Sequence, residues 1–148
     1  MQKNVELLLV EDDSGDVELT KQALKTAKII VSLHTVQDGV AALKFLRRQA
    51  PYPDAVRPDL ILLDLNLPKK GGRDVLREIK RDAALSSIPV IILTTSDSDV
   101  DIATCYDLGA NSYITKPIGI EAFIKAVHTI DDFWFALAKL PPGKKELP

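Results

Sequence analysis

Apolar and polar positions along this chain follow two patterns. Short β-like runs occupy Val5–Val10, Val31–Val36, Leu60–Leu63, Pro89–Leu93 and Asn111–Ile114, several of them continuous aliphatic stretches. Such runs fit parallel strands covered on both faces. Between them, apolar residues recur every three or four positions, the spacing of a helix with one buried face. Ser14 to Ala27 groups Val17, Thr20, Ala23, Leu24 and Ala27, and Val40 to Gln49 groups Ala42, Leu43 and Leu46. Arg73 to Ala83 groups Val75, Leu76, Ile79 and Ala83, and Asp99 to Leu108 groups Ile102, Ala103 and Tyr106. A last helix from Ile120 to Ile130 carries Phe123, Val127 and Ile130, and its stripe continues to Trp134. Repeated βα units predict an α/β fold: an open, doubly wound parallel sheet of five strands with helices on both sides.

Two stretches break the pattern. Ala50 to Pro58 contains Pro51, Pro53 and Pro58, a density that opposes helix and strand and predicts a long loop. Phe133-Trp134-Phe135 places three aromatics in succession. At about 100° per helical residue they span roughly 200° of surface, more than one sheet-facing stripe can bury. They predict either a cap over the end of the core or a contact between molecules.

At 148 residues the chain fits one domain with a substantial core. The reading places that domain over residues 1–140, with 141–148 as a tail and no output domain, so any signal would leave through the protein's own surface. A net charge of −2 gives no basic face for nucleic acid. No apolar stretch approaches the roughly 20 residues that cross a bilayer. The single cysteine, Cys105, excludes an intrachain disulfide and fits a reducing compartment. With no signal-peptide pattern at Met1-Gln2-Lys3-Asn4, the expected location is cytoplasmic.

The chemistry lies where the strands end. Open parallel sheets gather their active groups outside the carboxyl ends of the strands. There the first strand delivers Glu11 and Asp12, the third Asp64, the fourth Thr94 and Thr95, and the fifth Lys116. An acid at a strand end is ordinarily a helix cap, and Asp13, Ser14 and Asp16 fit that role. An acid pair, a strand-end Asp, a hydroxyl and a Lys-Pro at successive strand ends are not explained by capping. Three close carboxylates call for a hard cation, and carboxylate, carbonyl and water ligands suit magnesium. Such a cation would also let an anionic phosphoryl group approach.

The segments Leu9-Val10-Glu11-Asp12-Asp13, Leu62-Leu63-Asp64-Leu65-Asn66-Leu67-Pro68, Leu93-Thr94-Thr95 and Tyr113-Ile114-Thr115-Lys116-Pro117 resemble the receiver domain of two-component response regulators. The resemblance covers Val5 to Leu137 and implies a flavodoxin-like sheet with strand order 2-1-3-4-5. It implies that Asp64 accepts a phosphoryl group from a phosphohistidine of a sensor histidine kinase. Mg2+ would be held by Glu11, Asp12, Asp64 and the main-chain carbonyl of Asn66, with Asp12 direct and Glu11 through water. Lys116 would pair with the phosphoryl oxygens, its bond to Pro117 would be cis, and Thr94 and Tyr113 would form the switch. Thr95 stands where alanine or glycine is usual; a larger residue there would crowd the hydrolytic water and slow self-dephosphorylation. Neither His34 nor His128 lies near the strand ends.

The segment Asp64 to Arg73, the proline-containing loop before the third strand, and Asp132-Phe133-Trp134-Phe135 followed by Leu140-Pro141 resemble stand-alone regulators partnered with bacterial and cyanobacterial phytochromes. That implies a phytochrome-type kinase as phosphodonor and a homodimer formed through Phe133, Trp134 and Phe135. Three other classes fit less well. A haloacid-dehalogenase-type phosphatase needs a second Asp two residues beyond its nucleophile, where this chain has Asn66. A flavin-binding flavodoxin needs an uncharged phosphate loop after the first strand, where Glu11-Asp12-Asp13 is repulsive. A pure binding scaffold would have no use for the full phosphorylation set, and a regulator without output could also act as a phosphate sink.

Overall fold

The computed structural model describes residues 4–26, 30–137 and 139–142; the side chains of residues 135–137 fall outside that description. The elements alternate as β1 (Val5–Val10), α1 (Ser14–Lys25), β2 (Val31–Val36), α2 (Gly39–Leu46), β3 (Leu60–Leu63), α3 (Gly72–Arg81), β4 (Val90–Thr94), α4 (Asp99–Asp107), β5 (Ser112–Thr115) and α5 (Ile120–Ile130). A π-helical stretch, Asp131–Leu137, continues α5. The five strands form one parallel sheet in the order β2-β1-β3-β4-β5, as expected.

Beneath the unbroken aliphatic runs lies the two-residue alternation of a strand. Leu8 and Val10, Ile61 and Leu63, and Val90 and Ile92 face a core with Ala42, Leu46, Val75, Leu76 and Ile79 of α2 and α3. Their neighbours Leu7, Leu9, Leu60, Leu62 and Ile91 pack on the other face with Ile130 of α5, Val17 and Leu24 of α1, and Trp134. Helix starts are set by side chains: Asp13 accepts from Asp16 N, Asp38 from Ala41 N and Ser98 from Asp101 N. Among the described residues, no helix is long and apolar enough to cross a membrane.

Several boundaries differ from the expectation, for reasons of hydrogen bonding. Pro89 has no N–H to donate and enters only as an acceptor, its carbonyl taking Ile61 N at 3.0 Å; β4 therefore begins at Val90. Asn111 spends its side chain on Val90 N at 2.9 Å, and β5 begins one residue later. α2 stops at Leu46 because Arg48 turns to φ 55°. The proline-rich stretch is an ordered loop, with Tyr52 against Phe45 and Arg57 bonded to Ala84 O and Ser87. Ala27, expected on the buried face of α1, lies outside the described residues.

The join between β3 and α3 is as tight as backbone allows. Gly72 N donates to Leu65 O at 3.0 Å, and a Cβ on Gly72 would sit 2.2 Å from the carbonyl oxygen of Asp64. Only glycine lets α3 start against the backbone of that strand end. Gly71, one residue earlier, has nothing nearer than 3.9 Å. Gly72→Ala should therefore lower the denaturation free energy by roughly 1–3 kcal/mol, as overpacking does. Gly71→Ala should change it by less than ~1 kcal/mol. Equal losses for the two variants in chemical denaturation would contradict this account.

Candidate functional site

Register brings the expected residues together. Val10 pairs with Leu63, so Glu11 and Asp64 leave adjacent strands side by side, and Asp64 N donates to Val10 O at 3.1 Å. Thr94 pairs with Thr115 at the end of β4, and Lys116 follows directly, its backbone N on Thr94 O at 2.6 Å. The Lys116 side chain, 7% exposed, then reaches back across the strand ends. Its ammonium donates to Glu11 Oε1 at 2.5 Å, Asp16 Oδ2 at 2.8 Å and Asp64 Oδ2 at 3.0 Å.

Burial decides the ionisation here. It pushes the Glu11 carboxyl up, the Lys116 hydrogen bond pulls it back, and the charge on Asp64 pushes again; Glu11 ends at about 7 instead of 4.5. Burial acts on Asp64 too, but hydrogen bonds from Lys116 and Glu11 outweigh it and hold that carboxyl below its ordinary 3.8. Burial would also lower Lys116, yet its hydrogen bonds to Asp16, Glu11 and Asp64 keep the ammonium charged well above the usual lysine range. At neutral pH the site is thus a charged Asp64, a charged Lys116 and a Glu11 poised to lose its proton.

The donor set fits a hard divalent cation. Carboxylate oxygens of Glu11, Asp12 and Asp64 lie within 4.8 Å of one another, and Asp12 is exposed, leaving room for water ligands. Asn66 is exposed just beyond, its N–H on Asp64 Oδ1 at 3.2 Å. The Thr94 hydroxyl is wholly buried and completes no hydrogen bond to the protein, though it lies near enough to Asp64 to favour its charged form.

Other expected residues stand apart. Tyr113 places its hydroxyl on Ser96 O at 2.8 Å, and its N–H donates to the Tyr106 hydroxyl at 3.1 Å. Thr95 is exposed at the end of β4. His34, on the edge strand β2, bonds Glu6 of β1, and His128 bonds Ala23 O, both away from the carboxyl ends of the strands. Trp134 packs on the opposite end of the sheet with Ile130 and Leu60, while Phe133 is 49% exposed; the Phe135 side chain lies outside the described residues. One expectation is corrected: the cis bond among the described residues is Ala50–Pro51, and Lys116–Pro117 is trans, the isomer favoured even before proline.

Asp16 fits a cap in the sequence but has another role in the fold. The cap is Asp13, and Asp16, at the third helical position, turns inward to Lys116. Its position over the end of β1, in the first turn of α1, was the available signal.

Residues 7–128 match the family described as response regulator receiver domain. The chain belongs to that family. Response regulator Rcp1 of Synechocystis sp. is 46% identical over 135 residues, covering 91% of this chain and 92% of that protein. The crystal structure of the Mn(2+)-bound form of Rcp1 superposes with a TM-score of 0.90 at 45% identity, covering 93% of this chain and 99% of that chain. The phosphorylated cyanobacterial phytochrome response regulator RcpA superposes with a TM-score of 0.92 at 45% identity, over 95% and 100% of the two chains. This receiver is therefore a component of two-component signalling, related to phytochrome-associated regulators. Receiver domains bind Mg2+ at an acidic pocket, and the cluster of Glu11, Asp12 and Asp64 is consistent with such a pocket.

The ionisation pattern has a measurable consequence. Glu11, at about 7 folded and 4.5 when free, binds more proton in the folded state across that window. Stability must then fall as pH rises from about 4.5 to about 7, by at most ~1.4 kcal/mol per pH unit from this group. Without metal, wild type should lose stability relative to Glu11→Gln over that range. Parallel stability–pH curves for the two proteins would rule the shift out.

Proposed function

We propose that this receiver takes a phosphoryl group onto Asp64 from the phosphohistidine of a sensor histidine kinase, in a magnesium-dependent transfer. The supporting observation is the state of Asp64: a buried carboxylate kept charged by Lys116 at a strand end, beside two further acids. A carboxylate oxygen of Asp64 attacks phosphorus, the phosphorus–nitrogen bond breaks, and its electron pair returns to the donor imidazole. Aspartate is a weak nucleophile, so the rate comes from positioning and charge neutralisation rather than from a general base.

Each remaining residue has a role in this reading. Glu11, Asp12, Asp64 and the Asn66 main-chain carbonyl would hold Mg2+, Asp12 directly and Glu11 through water, and the ion would offset the charge of the transferring group. Lys116 pairs with phosphoryl oxygens. Thr94 supplies the hydroxyl that hydrogen-bonds them, consistent with its lack of any protein partner. Tyr113 follows Thr94 by leaving the Ser96 carbonyl. The phosphodonor is a phytochrome-type kinase, a reading supported by the relatives Rcp1 and RcpA. Ile118 and Ile120, both exposed just after Lys116-Pro117, offer an apolar rim for that partner. Residues 1–140 form the receiver and 141–148 a tail. Two copies associate through Phe133, Trp134 and Phe135, a reading supported by the exposed Phe133 ring beside Trp134.

Beryllofluoride, which mimics an aspartyl phosphate, tests the acceptor. With magnesium it should shift amide resonances around Thr94 and Tyr113 in the wild type and leave Asp64→Asn unchanged. A response in Asp64→Asn equal to the wild type would move the acceptor elsewhere.

Thr95 sets the lifetime of the phosphorylated state in the same reading. Thr95→Ala should admit the hydrolytic water more readily, so that phosphorylated protein decays several-fold faster. Identical half-lives after removal of the phosphodonor would show that Thr95 does not screen the water.

A further inference from the structure

Lys116 is held by one carboxylate more than the proposed transfer employs. An ammonium has three N–H bonds. All three are spent here, on Glu11, Asp64 and Asp16. Asp16 belongs to neither the strand ends nor the group of acids close enough to share a cation. Its backbone is anchored on both sides, its N–H on Asp13 Oδ1 at 3.1 Å and its carbonyl taking the Thr20 hydroxyl at 2.8 Å. The side chain therefore projects from a fixed point, with 25% exposure, onto Lys116 Nζ.

We propose that Asp16 is a positioning residue that holds the Lys116 ammonium toward α1 and opposes its movement onto the phosphoryl group. The proposal rests on the reading of Asp64 as acceptor. Once Asp64 is phosphorylated, the oxygens that Lys116 must reach lie beyond the carboxylate it now touches. In the same reading the other two acids change partners. Asp64 exchanges its carboxylate charge for the phosphoryl oxygens, and Glu11 would be one of the residues that hold the cation. Asp16 alone keeps both its charge and its hold, so its grip opposes the movement of Lys116 onto the phosphoryl group. The arrangement keeps the charged Lys116 ordered in the resting state and limits how tightly the phosphorylated state is held.

An acid in the first turn of a helix also favours that helix through its dipole, and this ordinary role must be separated. Glu18, exposed beyond the first turn of the same helix and without a bond to Lys116, controls for loss of a negative charge from α1, and the Lys116→Ala background separates the dipole. Beryllofluoride is titrated at saturating magnesium into wild type, Asp16→Ala, Glu18→Ala, Lys116→Ala and the double variant Asp16→Ala/Lys116→Ala. Asp16→Ala should bind roughly two- to fivefold more tightly, the range open to a partly exposed ion pair. Glu18→Ala should match the wild type, and the gain should vanish in the Lys116→Ala background. Should Asp16→Ala fail to fold, Asp16→Asn, which keeps the shape and drops the charge, is read in the same way. Unchanged or weaker binding, equal gains in the Asp16 and Glu18 variants, or a gain that survives without Lys116 would overturn the proposal. Binding retained by Asp64→Asn would instead overturn the reading beneath it.

Discussion

One ammonium set against four carboxylates governs the carboxyl end of this sheet. Glu11, Asp12, Asp16 and Asp64 converge there, and Lys116 is the cation that holds three of them. A pair of unit charges 4 Å apart interacts by about 4 kcal/mol at the effective dielectric of a protein surface, for attraction and repulsion alike. One lysine can therefore balance one buried acid and part of another, but not the whole set. Burial first, and then the charge on Asp64, raise the pKa of Glu11 against the pull of Lys116, while Asp64 keeps its charge. A second lysine shows what this environment does. Lys80 donates to Ser86 O, Ile88 O and Asn111 Oδ1, all neutral, and burial lowers its pKa. Lys116 is also buried, but its acceptors are carboxylates and its pKa rises.

The excess of negative charge is tolerable only because the rest of the fold is firm. β3 and β4 are buried throughout and β1 everywhere but at Glu6, and their alternating faces lock into separate helical layers. A one-residue slip of any central strand would exchange its two faces, and a slip between β1 and β3 would also separate Glu11 from Asp64. Gly72 adds a second restraint by starting α3 against the Asp64 carbonyl. Rigid backbone around an unbalanced cluster keeps the acids from relaxing apart, and so preserves a site with affinity for a cation.

Most of this was legible in the sequence because the signal was coarse and repeated. Aliphatic runs such as Leu60–Leu63 separated by 3.6-periodic stretches specify a parallel α/β sheet, and such a sheet delivers its strand-end residues to one rim. Glu11, Asp12, Asp64, Thr94 and Lys116 were therefore found together. What was missed depends on direction rather than order. Asp16 looked like a cap because capping chemistry and site chemistry use the same residue type; only the placement of the first turn of α1 over β1 tells them apart. The strand limits at Pro89 and Asn111 moved by one residue through missing or diverted hydrogen bonds, which periodicity does not record. The Lys116–Pro117 isomer likewise leaves no mark in a pattern of apolar and polar residues.

The site is also tied to the surface by a polar chain that no single motif displays. Arg73, one residue after the glycine that abuts Asp64, pairs with Asp101 at the start of α4. The other oxygen of Asp101 accepts the Ser96 hydroxyl at 2.6 Å, and the Ser96 carbonyl accepts the Tyr113 hydroxyl. Ser96 lies two residues beyond Thr94. Any displacement of Thr94 toward Asp64 pulls on the loop that carries Ser96, and therefore on the bonds that hold Tyr113 and Asp101. Packed aliphatic side chains resist such a pull as a body, whereas hydrogen bonds can exchange one discrete partner for another. In the proposed reading the apolar layers thus keep the frame still, and the polar chain over α4 and β5 is where a charge arriving on Asp64 becomes a change of surface.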